Sequence, residues 1–134
     1  MSDLIYLDVK TDRRNQFIDI TPKILKVISN SEIDSGTVEL FVPHTTAGIT
    51  INENADPSVK SDIISYLEKS IPYPGQYEHS EGNSDSHIKS SLVGTCLSIF
   101  VSGGEPVLGT WQGIYFCEFD GPRDRKLIVK IKSD

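Results

Sequence analysis

Hydrophobic and polar positions divide the chain into short strands and two or three helices. Leu4-Ile5-Tyr6-Leu7-Asp8-Val9-Lys10 has the composition of a strand, and Gln16 to Ile20 reads as its hairpin partner across the polar turn Thr11-Asp12-Arg13-Arg14-Asn15. Thr21-Pro22 sets a capping hydroxyl before a proline at the first helical position, and Ile24, Leu25 and Ile28 share one face of the short amphipathic helix that follows. Gly36 opens Thr37 to Val42, where Val38, Leu40 and Val42 alternate with Thr37, Glu39 and Phe41 at the period of a strand; His44 follows at its end. A further strand, Gly48 to Asn52, runs out into Glu53-Asn54-Ala55, and Asp56-Pro57 starts a second helix with Val59, Ile63 and Leu67 four apart. From Ser70 to Asp85 neither period holds, and so long a loop in a compact domain is characteristically functional or disordered. It contains His79 and leads to His87, after which a helix through Ile88, Leu92 and Val93 is closed by Gly94. Three strands complete the pattern, Thr95 to Val101, Thr110 to Phe119 and Lys126 to Lys132, separated by Gly103-Gly104 and by Asp120-Gly121-Pro122-Arg123.

Strands joined by hairpin-length turns, rather than by regular βα alternation, predict an α+β domain with antiparallel or mixed sheets and exclude a doubly wound parallel sheet. The length of 134 residues and a hydrophobic share of 37% suffice for one core, so residues 1–134 read as a single domain. A net charge of -6 argues against non-specific nucleic-acid binding, which needs a basic face; any phosphate must be bound locally. The amino end lacks a basic segment followed by an apolar run, and no stretch approaches a membrane span, so the expectation is a cytoplasmic protein with no membrane partner. Cys96 and Cys117 both sit in apolar strand sequence, which predicts reduced thiols, with Cys96 in the core.

The chemistry concentrates at a few polar clusters. The chain has three histidines. His44 stands at a strand end beside Thr45, Thr46 and Gly48, and His79 and His87 flank Glu81, Gly82, Asn83 and Asp85. Imidazole nitrogens suit zinc, and three protein ligands with an open fourth position make a catalytic zinc site, although this spacing is no known short zinc signature. Asp56 has a sufficient role as a helix cap, whereas Glu53 has none and is a candidate base or orienting carboxylate. In Cys117-Glu118-Phe119-Asp120-Gly121-Pro122-Arg123, the Asp-Gly and Pro serve a hairpin turn. Glu118 and Arg123 are not required by it: Arg123 either forks a phosphate or carboxylate, or pairs with Glu118 or Asp120. Gly103-Gly104-Glu105 joins two strands without a following helix and reads as a turn.

Three long segments carry a family resemblance. Pro43-His44-Thr45-Thr46-Ala47-Gly48-Ile49-Thr50-Ile51-Asn52-Glu53-Asn54-Ala55-Asp56-Pro57, His79 to Lys89 (HSEGNSDSHIK), and Gly109 to Arg123 (GTWQGIYFCEFDGPR) resemble the YjbQ family, the secondary thiamine-phosphate synthase family, in the family's own order. The resemblance implies a small α+β fold with a β-sandwich-like core, assembled as a homotrimer with sites near subunit boundaries. It implies a secondary activity that joins hydroxymethylpyrimidine diphosphate and thiazole phosphate into thiamine phosphate. It also implies His44, His79 and His87 as the metal set. Glu53, Asp85 and Glu118 are the candidate catalytic carboxylates, and Thr45, Asn52, Asn83 and Arg123 the candidates for a phosphorylated ligand. Pyrophosphate leaves the pyrimidine methylene in such a reaction, so phosphate charge must be stabilised and the thiazole nitrogen positioned. Zinc is the expected divalent metal, because magnesium prefers oxygen ligands and would come with a diphosphate substrate. The imidazoles therefore raise two alternatives: a zinc hydrolase with Glu53 or Asp85 as base, and a trimeric metal- or metabolite-binding protein without catalysis.

Overall fold

The computed structural model describes residues 3–134. In chain order the elements are β1 (Ile5–Lys10), β2 (Gln16–Asp19), α1 (Thr21–Ser31), β3 (Gly36–Phe41), β4 (Ala47–Glu53), α2 (Pro57–Ser70), α3 (Ser84–Val93), β5 (Cys96–Ser102), β6 (Glu105–Pro106), β7 (Gln112–Glu118) and β8 (Asp124–Ser133). They form two sheets, one of five strands in the order β1-β8-β3-β5-β6 and one of three in the order β2-β7-β4, and each pairing is antiparallel. The α+β class with a β-sandwich-like core is therefore the observed architecture.

Alternation explains the larger sheet. Val9, Val38, Leu40, Ile99, Val101, Leu127 and Val129 point inward and meet Ile49, Ile114 and Phe116 of the smaller sheet, with Ile24 and Ile28 of α1 in the same core. β7 has no alternation because both its faces are buried: Tyr115 and Cys117 point away from that core and join Phe17 and Phe119 beneath Ile63, Ile64 and Leu67 of α2. Asp56 caps α2 as expected, accepting the Ser58 N–H at 2.9 Å. Thr21 does not cap α1. It is the first helical residue, and its hydroxyl accepts the Ile114 N–H at 2.8 Å and so ties α1 to β7.

Two expected hairpins are absent. β1 pairs with β8 and β2 with β7, so segment 11–15 crosses from the large sheet to the small one. Asp120–Arg123 joins β7 to β8, which lie in different sheets, and is a corner rather than a hairpin turn. Pro43–Thr46, between β3 and β4, makes a third crossing. The registers bring the end of β1, the start of β2, the end of β3, the start of β4, the end of β7 and the start of β8 to the same end of the molecule.

Cys117 is fully buried, and burial pushes its thiol pKa well above the usual value. Both cysteines are free, but Cys96 is exposed on β5, correcting its assignment to the core. No helix of the described residues is long and apolar enough to cross a membrane.

Candidate functional site

Where strands leave one sheet for another, backbone groups lose their ladder partners and need others. Side chains supply them at the three crossings. Glu118 accepts from the Thr11 hydroxyl at 2.8 Å, from the N–H groups of Phe119 and Asp120 at 3.0 and 2.9 Å, and from the Arg125 guanidinium through Nε at 2.8 Å and through Nη2. Arg125 Nη2 also donates to the Thr46 hydroxyl at 2.8 Å. Thr11 Oγ1 accepts the Arg123 N–H at 2.9 Å. β3 ends at Phe41, and beyond Pro43 His44 turns its side chain back so that Nε2 accepts the Lys126 N–H at 3.0 Å. Each of these groups lies on a crossing segment or on the strand end beside it.

α3 packs against this end with its polar face inward. Asp85, Ser86, Lys89 and Ser90 are buried, while Ile88 and Leu92 face outward, the reverse of an ordinary amphipathic helix. Arg14 accounts for the inversion. Its Nη2 donates to Asp85 at 2.8 Å and its Nη1 to Asp120 at 3.2 Å, joining α3 to the β7–β8 corner. Lys89 completes the neutralisation of Asp85 at 2.9 Å. The Tyr73 ring stacks on the Arg14 guanidinium, 3.3 Å from its carbon, so the same residue holds the long loop. Ser86 Oγ donates to Phe119 O and Ser90 Oγ to Ala47 O, fastening α3 to β4 and the corner.

Between the corners, the loop and α3 lies a cleft of about 710 Å³. His44, Thr45, His79, Asn83, His87 and Arg123 line it, together with Glu81 and Asp120. The His79 and His87 rings meet edge to face with centroids 5.4 Å apart, and His79 Nε2 lies 3.9 Å from the Glu81 carboxylate. Arg123 reaches Asp120 through Nε to the backbone oxygen at 2.8 Å and through Nη2 to the carboxylate at 2.9 Å. The ion-pair reading of Arg123 is thus observed, and Nη1 remains for a ligand. Asp120 also accepts from Asn83 at 2.9 Å. Burial pulls the Asp120 pKa up, but the hydrogen bonds from Asn83 and Arg123 and the charges of Arg123 and Arg14 outweigh it and hold the pKa below its ordinary value. For His44, burial first and the Arg125 charge second keep the imidazole pKa below 6.5.

The structure thus gathers His44, Thr45, His79, Asn83, His87 and Arg123 at one cleft. It does not bring the three candidate catalytic carboxylates there. Glu118 lies behind the cleft with its oxygens occupied by five donors. Asp85 is fully buried between Arg14 and Lys89. Glu53 closes β4 at the opposite end from the crossings, where its backbone oxygen accepts from Tyr115 Oη. Asn52 sits beside it, accepting the Glu53 N–H at 2.7 Å. Sequence reading missed Arg14, which sits in a stretch that looks like an ordinary polar turn, and Glu81 and Asp120 as the carboxylates of the cleft.

The histidines do not form a ready chelate. Among the described residues no group of three His, Cys, Asp or Glu side chains is placed to hold a metal ion. His44 shows why: Nε2 accepts the Lys126 N–H, so the neutral ring carries its proton on Nδ1. In that tautomer both nitrogens lack a free lone pair for a metal, and Nδ1–H is a hydrogen-bond donor.

Comparison with known proteins agrees with the fold. The family described as "UPF0047 protein YjbQ-like" matches residues 5–134. UPF0047 protein MJ1081 of Methanocaldococcus jannaschii is 56% identical over 131 residues, 98% of this chain and 95% of the relative. UPF0047 protein YugU of Bacillus subtilis is 48% identical over 126 residues, 93% of this chain and 96% of the relative. Among solved structures, a YjbQ/UPF0047 family protein of Clostridium acetobutylicum superposes with a TM-score of 0.93 at 55% identity, covering 96% of this chain and 99% of that one. A YbjQ-like protein of unknown function from Sulfolobus solfataricus reaches 0.94 at 28% identity, covering 100% and 99%.

Proposed function

The chain belongs to the YjbQ-like UPF0047 family, and we propose that its cleft binds the phosphate groups of a small phosphorylated metabolite and catalyses a transferase reaction on it, the joining of hydroxymethylpyrimidine diphosphate to thiazole phosphate. One observation carries the phosphate-binding part of this reading: the charges around the cleft balance, and hydrogen-bond donors are left over on its walls. Asp85, Glu118 and Asp120 are matched by Lys89, Arg125, Arg14 and Arg123. What remains for a ligand is Arg123 Nη1, His44 Nδ1–H, the imidazole of His87 and the Thr45 hydroxyl, with His79 set 3.9 Å from the Glu81 carboxylate. Such a set suits an oxyanion.

In the reaction the thiazole nitrogen forms a bond to the pyrimidine methylene as the methylene–oxygen bond breaks. The electron pair of that bond leaves with pyrophosphate. Arg123 and His44 stabilise the charge that accumulates on the departing oxygens, and His79 and His87 donate protons or hydrogen bonds to them. A zinc-dependent hydrolase is less well supported, because His44 is not presented as a ligand and the bases assigned to it, Glu53 and Asp85, are away from the cleft. Magnesium, with its preference for oxygen, would enter with a diphosphate rather than on the imidazoles.

Thiamine phosphate formation from the two purified precursors tests the reading. Arg123→Gln and His44→Ala should each lower the rate about 100-fold or more, as loss of one preorganised donor does elsewhere. Rates equal to that of the unaltered protein in both variants would assign the activity to another protein in the preparation.

A further inference from the structure

Next to the cleft is a second recess of about 520 Å³, lined by His44, Thr45, His87, Ser90, Ser91, Gly94 and Thr95. His44, Thr45, His87 and Thr95 also line the cleft, so the two spaces share a wall and His44 and His87 stand at their junction. Their chemistry differs. The cleft has Arg123, Asp120 and Glu81; the recess has hydroxyls, backbone and the two shared imidazoles, and no lysine, arginine or carboxylate.

α3 makes the contrast directional. Asn83, which precedes the helix, lines the cleft, and Ser90, Ser91 and Gly94 at the other end line the recess. The last intrahelical bond runs from Gly94 N–H to Ser90 O at 2.9 Å, so the carbonyls of Ser91, Leu92 and Val93 lie beyond the ladder as acceptors. A helix carries partial positive charge at its start and partial negative charge at its end. The positive end thus adjoins the arginine-lined cleft, and the negative end the uncharged recess. Ser91 Oγ donates to His87 O at 2.8 Å, which leaves its lone pairs to accept. Gly94 keeps the space open: it has a φ of +98°, and a Cβ there would meet nothing within 4 Å.

We propose that the recess is a second subsite, which takes the uncharged, N–H- or O–H-bearing end of a phosphorylated ligand whose phosphate occupies the cleft. The inference rests on the anion-binding reading of the cleft. It assigns the ligand a class, a phosphate ester of a donor-bearing ring or polyol, and it places the ester linkage between His44 and His87. A second phosphate in the recess would find acceptors and a helix C-terminus, which repel it.

Phenyl phosphate and 4-aminophenyl phosphate differ by one N–H donor group at the end far from the phosphate. Calorimetric titration of the whole protein with inorganic phosphate and with each ester tests the assignment. The amino ester should bind about 3- to 10-fold more tightly than phenyl phosphate, the value of one or two neutral hydrogen bonds. Ser91→Ala should reduce that preference, and Ser91→Leu, which fills the recess, should bring both esters down to the affinity of inorganic phosphate or below it. Inorganic phosphate should bind both variants as it binds the unaltered protein. Equal affinity for the two esters, or a preference that survives in both Ser91 variants, overturns the subsite. Failure of inorganic phosphate to bind the unaltered protein is a different result, which removes the anion reading of the cleft itself.

Discussion

Glu118 and Arg125 hold the three crossings together, and their worth is measurable. Both are buried, and Glu118 gathers Thr11, two backbone amides and the guanidinium on two oxygens. Glu118→Gln strands a buried arginine opposite a neutral amide, which should cost about 3–5 kcal/mol in urea unfolding; a loss below about 1 kcal/mol would mean that the pair contributes little. Asp120 supplies a pH signature. Its folded-state pKa lies below the ordinary 3.8, so the carboxylate contributes stability that is complete above that value and is lost as the pH falls through the lower folded pKa. Asp120→Asn should flatten that acid limb, and an unchanged acid limb would show that other groups set it. His44, also lowered, follows the same sign: its contribution is present above 6.5 and fades as the pH falls through its folded value. At this scale the histidines, Asn83 and Thr45 were legible because each is a polar residue at a strand end or in or beside an aperiodic loop, and Arg123 because the turn does not require it, although it also makes the local pair with Asp120. The carboxylates were not. Four of the five donors on Glu118 lie within seven residues of it, but the Thr11 hydroxyl that completes the set is 107 residues away, and a single sequence carries no record of that contact.

α3 shows how a local pattern and a tertiary position diverge. The helix was read through Ile88, Leu92 and Val93, yet only Val93 packs on the core and Leu92 is 69% exposed, because Arg14 and the corner offer ion pairs to the polar side. Every strand but the two-residue β6, whose Glu105 was read as part of a turn, was legible, most through alternation and β7 through its continuous apolar run. The partners of β1 and β2 were not, because adjacency in sequence suggests a hairpin, while Thr11 and Arg14 instead run beside the β7–β8 corner, where Thr11 N–H reaches Arg123 O and Arg14 O accepts from Gly121 N–H. β4 and α3 meet closely at Gly48, where a Cβ would lie 2.7 Å from the Gly94 carbonyl oxygen. Backbone cannot yield as a flexible side chain does. Gly48→Ala should therefore push the end of α3 off the sheet, lower stability by about 1–3 kcal/mol and weaken phosphate binding through displacement of His87. A variant of full stability and unaltered phosphate affinity would show that α3 is not seated through this contact.

The whole molecule is asymmetric in its covering. The smaller sheet has α2 and α3 on its far side, but the outer face of the large sheet carries a row of apolar side chains that no helix or loop among the described residues covers. Tyr6 pairs with Ile128, Ile128 with Phe41, and Phe41 with Cys96, so the four lie side by side across β1, β8, β3 and β5. Tyr6 is 61% exposed and Phe41 48%. Such a row on an open sheet face is better explained by a protein contact than by water. Phe41 also lines the cleft, so a second copy seated on the row would border the site. We expect this face to be the subunit contact of the homotrimer that the family resemblance implies. Light scattering should then give a mass about three times the 14.9 kDa of one chain. Phe41→Asp, which sets a charge in the middle of the row without touching the core, should release single chains with the unfolding profile of a folded domain. A trimer that persists in Phe41→Asp moves the contact to another face, and an unaltered protein that runs as single chains removes the assembly. Because Phe41 also lines the cleft, a charge there repels phosphate directly, so affinity is read in Tyr6→Asp, which lies on the row but not on the cleft wall; if that variant separates and also loses phosphate affinity, the cleft requires the neighbouring copy for its binding geometry.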